Sequence, residues 1–205
     1  MKYSHYVADK FSFLILEDIY NQEELSDIWK ECIFLCDKDK LRYDEIYKQK
    51  SRAARKEDGS LKKSNADIFL NGLYKKEFFS NYLRLINKPL QLLDIDKLIN
   101  EDNNLNFLKN ISNGETLFSY AQDGDHYESH RDESRCTLIF WIFKEPKCFE
   151  GGDLYLNDID FKIELKSNMA ILFPGNVSHT VEKVTMANNN CLFDSSGRFS
   201  FSTFY

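Results

Sequence analysis

Residues 169–181 read Met169-Ala170-Ile171-Leu172-Phe173-Pro174-Gly175-Asn176-Val177-Ser178-His179-Thr180-Val181. A short apolar run stops at a Pro-Gly-Asn turn signal, and a second apolar run opens on a histidine. The same unit recurs over 117–120, 137–143, 154–156, 161–165, 179–184 and 199–205, each run bounded by Gly, Asp, Asn or Pro. Short strands at this spacing predict a sandwich or barrel in the C-terminal half.

Upstream the pattern differs. Residues 11–16 are apolar and Phe-rich and predict a buried strand. Asn21-Gln22-Glu23-Glu24 then predicts a helix start, with Asn21 as cap and Glu24 returning the bond. Leu25, Ile28, Trp29, Cys32, Ile33 and Cys36 follow at three- and four-residue spacing, one stripe facing a core. Residues 75–87 and 89–99 show helical spacing, with Pro89 placed to start the second segment. The fold class is therefore α+β with a mainly β core, residues 1–114 supplying a strand and helical support and residues 115–205 the barrel, within one domain.

Bulk properties narrow the function. The chain has 205 residues, 42% hydrophobic with 17 Phe and 11 Tyr, enough for one well-filled core. A net charge of −6 argues against a domain built to neutralise phosphates, so nucleic acid is not the expected partner. No stretch approaches the roughly 20 apolar residues of a membrane span, and the N-terminus carries no hydrophobic export segment. Five cysteines without CxxC spacing suit reduced thiols, so no membrane partner and a cytoplasmic location are expected. Residues 48–63 are rich in Lys and Arg and read as an exposed loop, or more sharply as a lid that attracts an anionic substrate.

Of the four histidines, His130 and His179 sit in the strand-rich half beside polar neighbours. In an extended strand, positions two apart face one side, so His130 and Asp132 converge while Arg131 turns away. A second strand can bring His179 to the same point. Two imidazoles and one carboxylate form the facial triad of non-haem Fe(II) oxygenases, which leaves coordination positions open. Alone, His-x-Asp is a weak signal. Arg198-Phe199-Ser200 strengthens it, because period two places Arg198 and Ser200 on one face as a cradle for a carboxylate. His126 lies four residues before His130, yet the alternation around it is strand-like and it is read as a loop residue rather than a helical zinc ligand.

The segment from Tyr120 to Tyr205 resembles the prolyl-4-hydroxylase-like branch of the Fe(II)/2-oxoglutarate dioxygenases. The likeness is ordered: Tyr120, Gly124, Tyr127, His130-Arg131-Asp132, Arg135, Gly151-Gly152-Asp153-Leu154, Phe173-Pro174, His179-Thr180-Val181 and Arg198-Phe199-Ser200. It implies a double-stranded β-helix of the jelly-roll or cupin type with N-terminal buttressing helices. It also implies Fe(II) held by His130, Asp132 and His179, with Arg198, Tyr120 and Ser200 binding 2-oxoglutarate, O2 as co-substrate, and Tyr127 and Trp141 lining the substrate pocket. Hydroxylation of a peptidyl or small-molecule substrate with release of succinate and CO2 would follow.

Two departures stand out. Residues 186–197 place Arg198 further from the histidine than is usual in the family and predict a long hairpin loop. Where the nucleic-acid demethylase branch adds a second arginine, this chain has Phe204, which argues against base demethylation. The alternatives are a cupin-like metal-binding protein without 2-oxoglutarate turnover and a nucleic-acid-modifying oxygenase that uses residues 48–63 as a basic arm.

Overall fold

Residues 169–174 and 179–181 become strands in two different sheets, because the turn between them carries the chain from one layer to the other. The computed structural model describes residues 1–36, 54–187 and 193–205, and elsewhere only the backbone pairing of Arg42–Tyr43. Parts of two expectations, the basic segment over 48–53 and the hairpin loop over 188–192, lie outside the described residues.

With strands numbered along the chain, the larger sheet runs β1 (Lys2–Val7), β2 (Ser12–Glu17), β12 (Met169–Pro174), β8 (Cys136–Ile142), β15 (Arg198–Phe204), β6 (Glu115–Ala121), β5 (Ala66–Phe69) and β3 (Arg42–Tyr43). The smaller runs β11 (Phe161–Ile163), β10 (Leu154–Leu156), β13 (His179–Val181), β7 (His126–His130) and β4 (Lys63–Ser64), and β14 (Val184–Met186) pairs with β9 (Phe149–Gly151). Every pairing between them is antiparallel. This is the expected double-stranded β-helix.

Alternation along the strands builds two cores. Phe199, Phe201, Phe140, Leu138, Leu14 and Leu16 face outward, where Ile28, Cys32 and Leu35 of helix α1 (Gln22–Leu35) cover them. Trp141, Ile139, Ile15, Ile171 and Phe173 face inward, against Leu154, Leu156 and Ile163 of the smaller sheet. Each such side chain contributes about 1.5–3 kcal/mol on full burial, so the two-period pattern determines which face is which. The α1 cap forms as read: Asn21 Oδ1 accepts from Glu24 N at 3.0 Å and Glu24 Oε2 accepts from Asn21 N at 2.8 Å.

Three local expectations change. Residues 75–99 form no long helices but a chain of short turns, Glu77–Phe79, Leu83–Leu85, Lys88–Gln91 and Ile95–Glu101. Ser80 Oγ and Asp94 Oδ1 accept backbone N–H groups here, and such short polar side chains start new turns rather than extend old ones. The basic segment does not end as a free loop: Lys63–Ser64 pairs with Tyr127 and His126, and Glu128 N donates to Lys62 O at 2.9 Å. His126, read as a loop residue, opens β7, its ring nitrogen Nδ1 lying 3.1 Å from Gly124 O. Among the described residues no helix is long and apolar enough to cross a membrane.

Candidate metal centre

His130 closes β7 and His179 opens β13, and the pairing of these strands sets the two histidines directly opposite each other. Asp132 lies beyond the end of β7, so strand period alone does not aim it. Its backbone N–H donates to Gly175 O at 2.8 Å, which ties it to the turn that precedes His179. One ligand atom from each of His130, Asp132 and His179 lies within 4.8 Å of the others. His130 Nε2 is 3.8 Å from Asp132 Oδ1 and His179 Nε2 is 3.7 Å from Asp132 Oδ2.

The hydrogen bonds determine which nitrogens are free. His130 Nδ1 lies 2.8 Å from Glu128 O and His179 Nδ1 lies 2.9 Å from Val177 O. A carbonyl only accepts, so both Nδ1 atoms carry the proton and both Nε2 lone pairs face Asp132. Burial, and then the neighbouring His179, pull the His130 imidazole down to about 3, so it is neutral at physiological pH as a metal ligand must be. On the third ligand, Thr137 Oγ1 donates to Asp132 Oδ2 at 2.7 Å and fixes the carboxylate. Thr137 was not singled out in the sequence, since a Thr at the start of a strand is ordinarily packing. These donors suit a divalent metal with an open side.

Gly175 leaves no room for a side chain. A Cβ there would overlap the Ser134 carbonyl oxygen. Gly175→Ala should therefore cost about 1–3 kcal/mol and displace Asp132. Thermal denaturation should show a Tm lower by several degrees, and an unchanged Tm would contradict the packing described.

Arg198 opens β15 opposite Ala121, on the inward face, and Ser200 lies on the same face opposite Ser119 and Trp141. The guanidinium is buried, with Nη1 donating to Gly152 O at 2.6 Å and Nε left without a partner. Burial pulls it down to about 10 while Asp125 and Asp153 oppose the shift, so it is cationic at neutral pH. An unsatisfied buried donor on a cation is costly, and an anion arriving there relieves it.

The sequence expectation for Tyr120 is not met in position. Tyr120 pairs with Phe199 and packs on it in the outer core, the opposite face of the sheet from Arg198. Its hydroxyl accepts from Gly197 N at 3.1 Å and lies 3.4 Å from Asp194 Oδ1, so it holds the turn that leads into Arg198. Strand period distinguishes the two faces, but sequence spacing within a family motif does not. Tyr127 stacks on the His130 ring with centroids 3.4 Å apart, and Trp141 is buried inside the barrel.

No family model matches the chain. Among solved structures, a Pseudomonas putida prolyl-4-hydroxylase superposes with a TM-score of 0.56 at 13% identity, covering 94% of this chain and 91% of that one. The chain shares the fold of that enzyme. A Trichoplax adhaerens prolyl hydroxylase in complex with a hypoxia inducible factor peptide fragment gives 0.57 at 14% identity, over 94% of this chain and 82% of that one. A viral collagen prolyl hydroxylase of Paramecium Bursaria Chlorella virus-1, in a 2-oxoglutarate complex, gives 0.50 at 11% identity over 94% of both chains. By sequence, a PKHD-type hydroxylase of Herminiimonas arsenicoxydans is 30% identical over 94 residues, 38% of this chain and 40% of that protein. A PKHD-type hydroxylase of Prochlorococcus marinus is 34% identical over 77 residues, 34% of this chain and 35% of that protein. The matches thus span well under two thirds of these relatives.

Proposed function

We propose that this chain is an Fe(II)- and 2-oxoglutarate-dependent oxygenase that hydroxylates a C–H bond of a peptidyl or small-molecule substrate. The observation that carries this reading is the pairing of two kinds of site in one barrel. A His-Asp-His cluster presents both Nε2 lone pairs to one carboxylate, and a buried guanidinium on the inward face has an unpartnered Nε.

His130, Asp132 and His179 are the residues that would hold iron, and Arg198 with Ser200 would take the distal carboxylate of 2-oxoglutarate. Iron and 2-oxoglutarate held there would supply the activation of O2, one oxygen atom going to succinate with loss of CO2 and the other to the hydroxyl of the product. The protein contributes position and dryness. Glu128 and Val177 carbonyls fix both imidazoles in the ligating tautomer, Thr137 orients the carboxylate, and the Phe173 ring, 5.0 Å from that of His179, excludes water from one side. Tyr127 and Trp141 remain candidates for the substrate pocket. The peptide in the Trichoplax adhaerens complex supports a peptidyl substrate.

We place all 205 residues in one domain, since α1 packs on one face of the larger sheet and the smaller sheet packs on the other. Among the described residues Cys32, Cys136 and Cys148 are free thiols, which suits the reducing cytoplasm.

The test is anaerobic reconstitution with Fe(II) and 2-oxoglutarate followed by admission of O2. Succinate should form and should require all three. Metal uptake with no succinate under any substrate tried would favour the cupin-like metal-binding alternative.

A further inference from the structure

The two histidine strands are joined by a ladder that breaks beside the metal cluster. Pairing runs from His179–His130 to Val181–Tyr127 with a register irregularity between them. Regular pairing therefore stops at the histidine pair itself, and the outer face of the same strands adds bonds across it.

On that outer face lie Ser129 and Arg131, the residues flanking His130, and Ser178 and Thr180, the residues flanking His179. Both pairs converge on the short turn Asn157–Ile159. Asn157 Nδ2 donates to Ser129 Oγ at 2.8 Å, Thr180 Oγ1 at 3.0 Å and Ser178 Oγ at 3.2 Å, while Thr180 Oγ1 donates back to Asn157 Oδ1 at 3.1 Å. Asn157 N also donates to Ser178 O at 2.8 Å. Asp158 takes both arms of Arg131 at 2.9 Å and accepts from Ser178 N at 2.9 Å. Arg131 Nη1 reaches Asn176 O as well. One side-chain amide and one carboxylate thus bridge residues adjacent to each histidine.

We infer that Asn157 and Asp158 are positioning residues of the metal centre, setting the distance between His130 and His179 from the face opposite the metal. This rests on the reading that these histidines bind metal. The pair Arg131–Asp158 has side chains 55% and 32% exposed, and an ion pair so placed adds little to global stability. Its effect falls instead on the spacing of the ligands, where outer partners are worth about 10- to 100-fold in metal affinity.

Co(II) is the probe, titrated without oxygen into wild type, Asn157→Ala, Asp158→Ala and the gentler Asp158→Asn. Each variant should bind Co(II) about 10- to 100-fold more weakly, with an altered visible absorption band, while its metal-free Tm stays within about 2–4 °C of wild type. Lys166→Ala breaks the distant exposed pair with Glu17 and should leave Kd and spectrum unmoved. Wild-type Kd and an unaltered band in Asp158→Asn and in either alanine variant would overturn the inference while leaving the metal site intact. Failure of wild type itself to bind Co(II) would remove the reading beneath it and the inference together.

Discussion

Asp132→Ala should lower Fe(II) affinity by more than about a hundred-fold and abolish succinate formation. The bound is conservative, because even the groups that merely orient a ligand are worth about 10- to 100-fold. Asp132 is the only anion of the cluster, and both free Nε2 atoms face it at 3.7–3.8 Å. Without it only the two imidazoles remain, and neither supplies a negative charge to offset that of a divalent cation. Folding should suffer less. The lost side chain is small and leaves Thr137 Oγ1 with Ser134 Oγ, 3.0 Å away, as a partner. Calorimetric titration of metal beside a metal-free melting curve separates the two effects, and near wild-type iron binding in a folded variant would remove the ligand assignment. His179→Ala should also lose succinate, with some loss of stability because that ring is buried.

Arg198→Met should weaken 2-oxoglutarate binding by about 10- to 150-fold and change the stability of the ligand-free protein by no more than about 1 kcal/mol. The first figure is the worth of a charge-assisted contact, about 1.5–3 kcal/mol, at about 1.4 kcal/mol per tenfold. The second follows from opposing terms. Removing the guanidinium relieves a buried cation whose Nε has no partner, but it also takes away the attraction of Asp125 and Asp153. Those carboxylates keep other partners: Ser64 Oγ and Gln122 N for Asp125, and Leu165 N for Asp153. Equilibrium binding of 2-oxoglutarate in the presence of Co(II), with urea unfolding of the free protein, reads both quantities. A variant that is much less stable yet binds normally would make Arg198 a structural residue.

The residues of the sequence differ in how far they could be read. The Asn21–Glu24 cap and the alternation of β15 are local devices, dictated by neighbours a few positions away, and they formed as expected. Residues 75–99 have helical spacing but break into short turns, because Ser80 and Asp94 side chains compete for backbone donors that spacing does not count. Residues 63–64 look like the end of a loop and become a strand on β7, which only their partner could decide. Asp132 was found through a two-residue period that does not in fact operate there. It reaches the cluster through its bond to Gly175, a residue 43 positions on.

What the sequence by itself determined is the inventory and its local phase: which side chains can ligate metal or hold an anion, and which of them share a strand face with apolar neighbours. Two-residue and 3.6-residue periods are properties of the backbone and need no partner to be legible. Tertiary structure alone decided the tautomers of His130 and His179, the placement of Tyr120 on the wrong face for Arg198, and the Asn157–Asp158 bridge behind the histidines. Each of these depends on atoms far apart in the chain, whose distances are fixed only when two sheets close around one core.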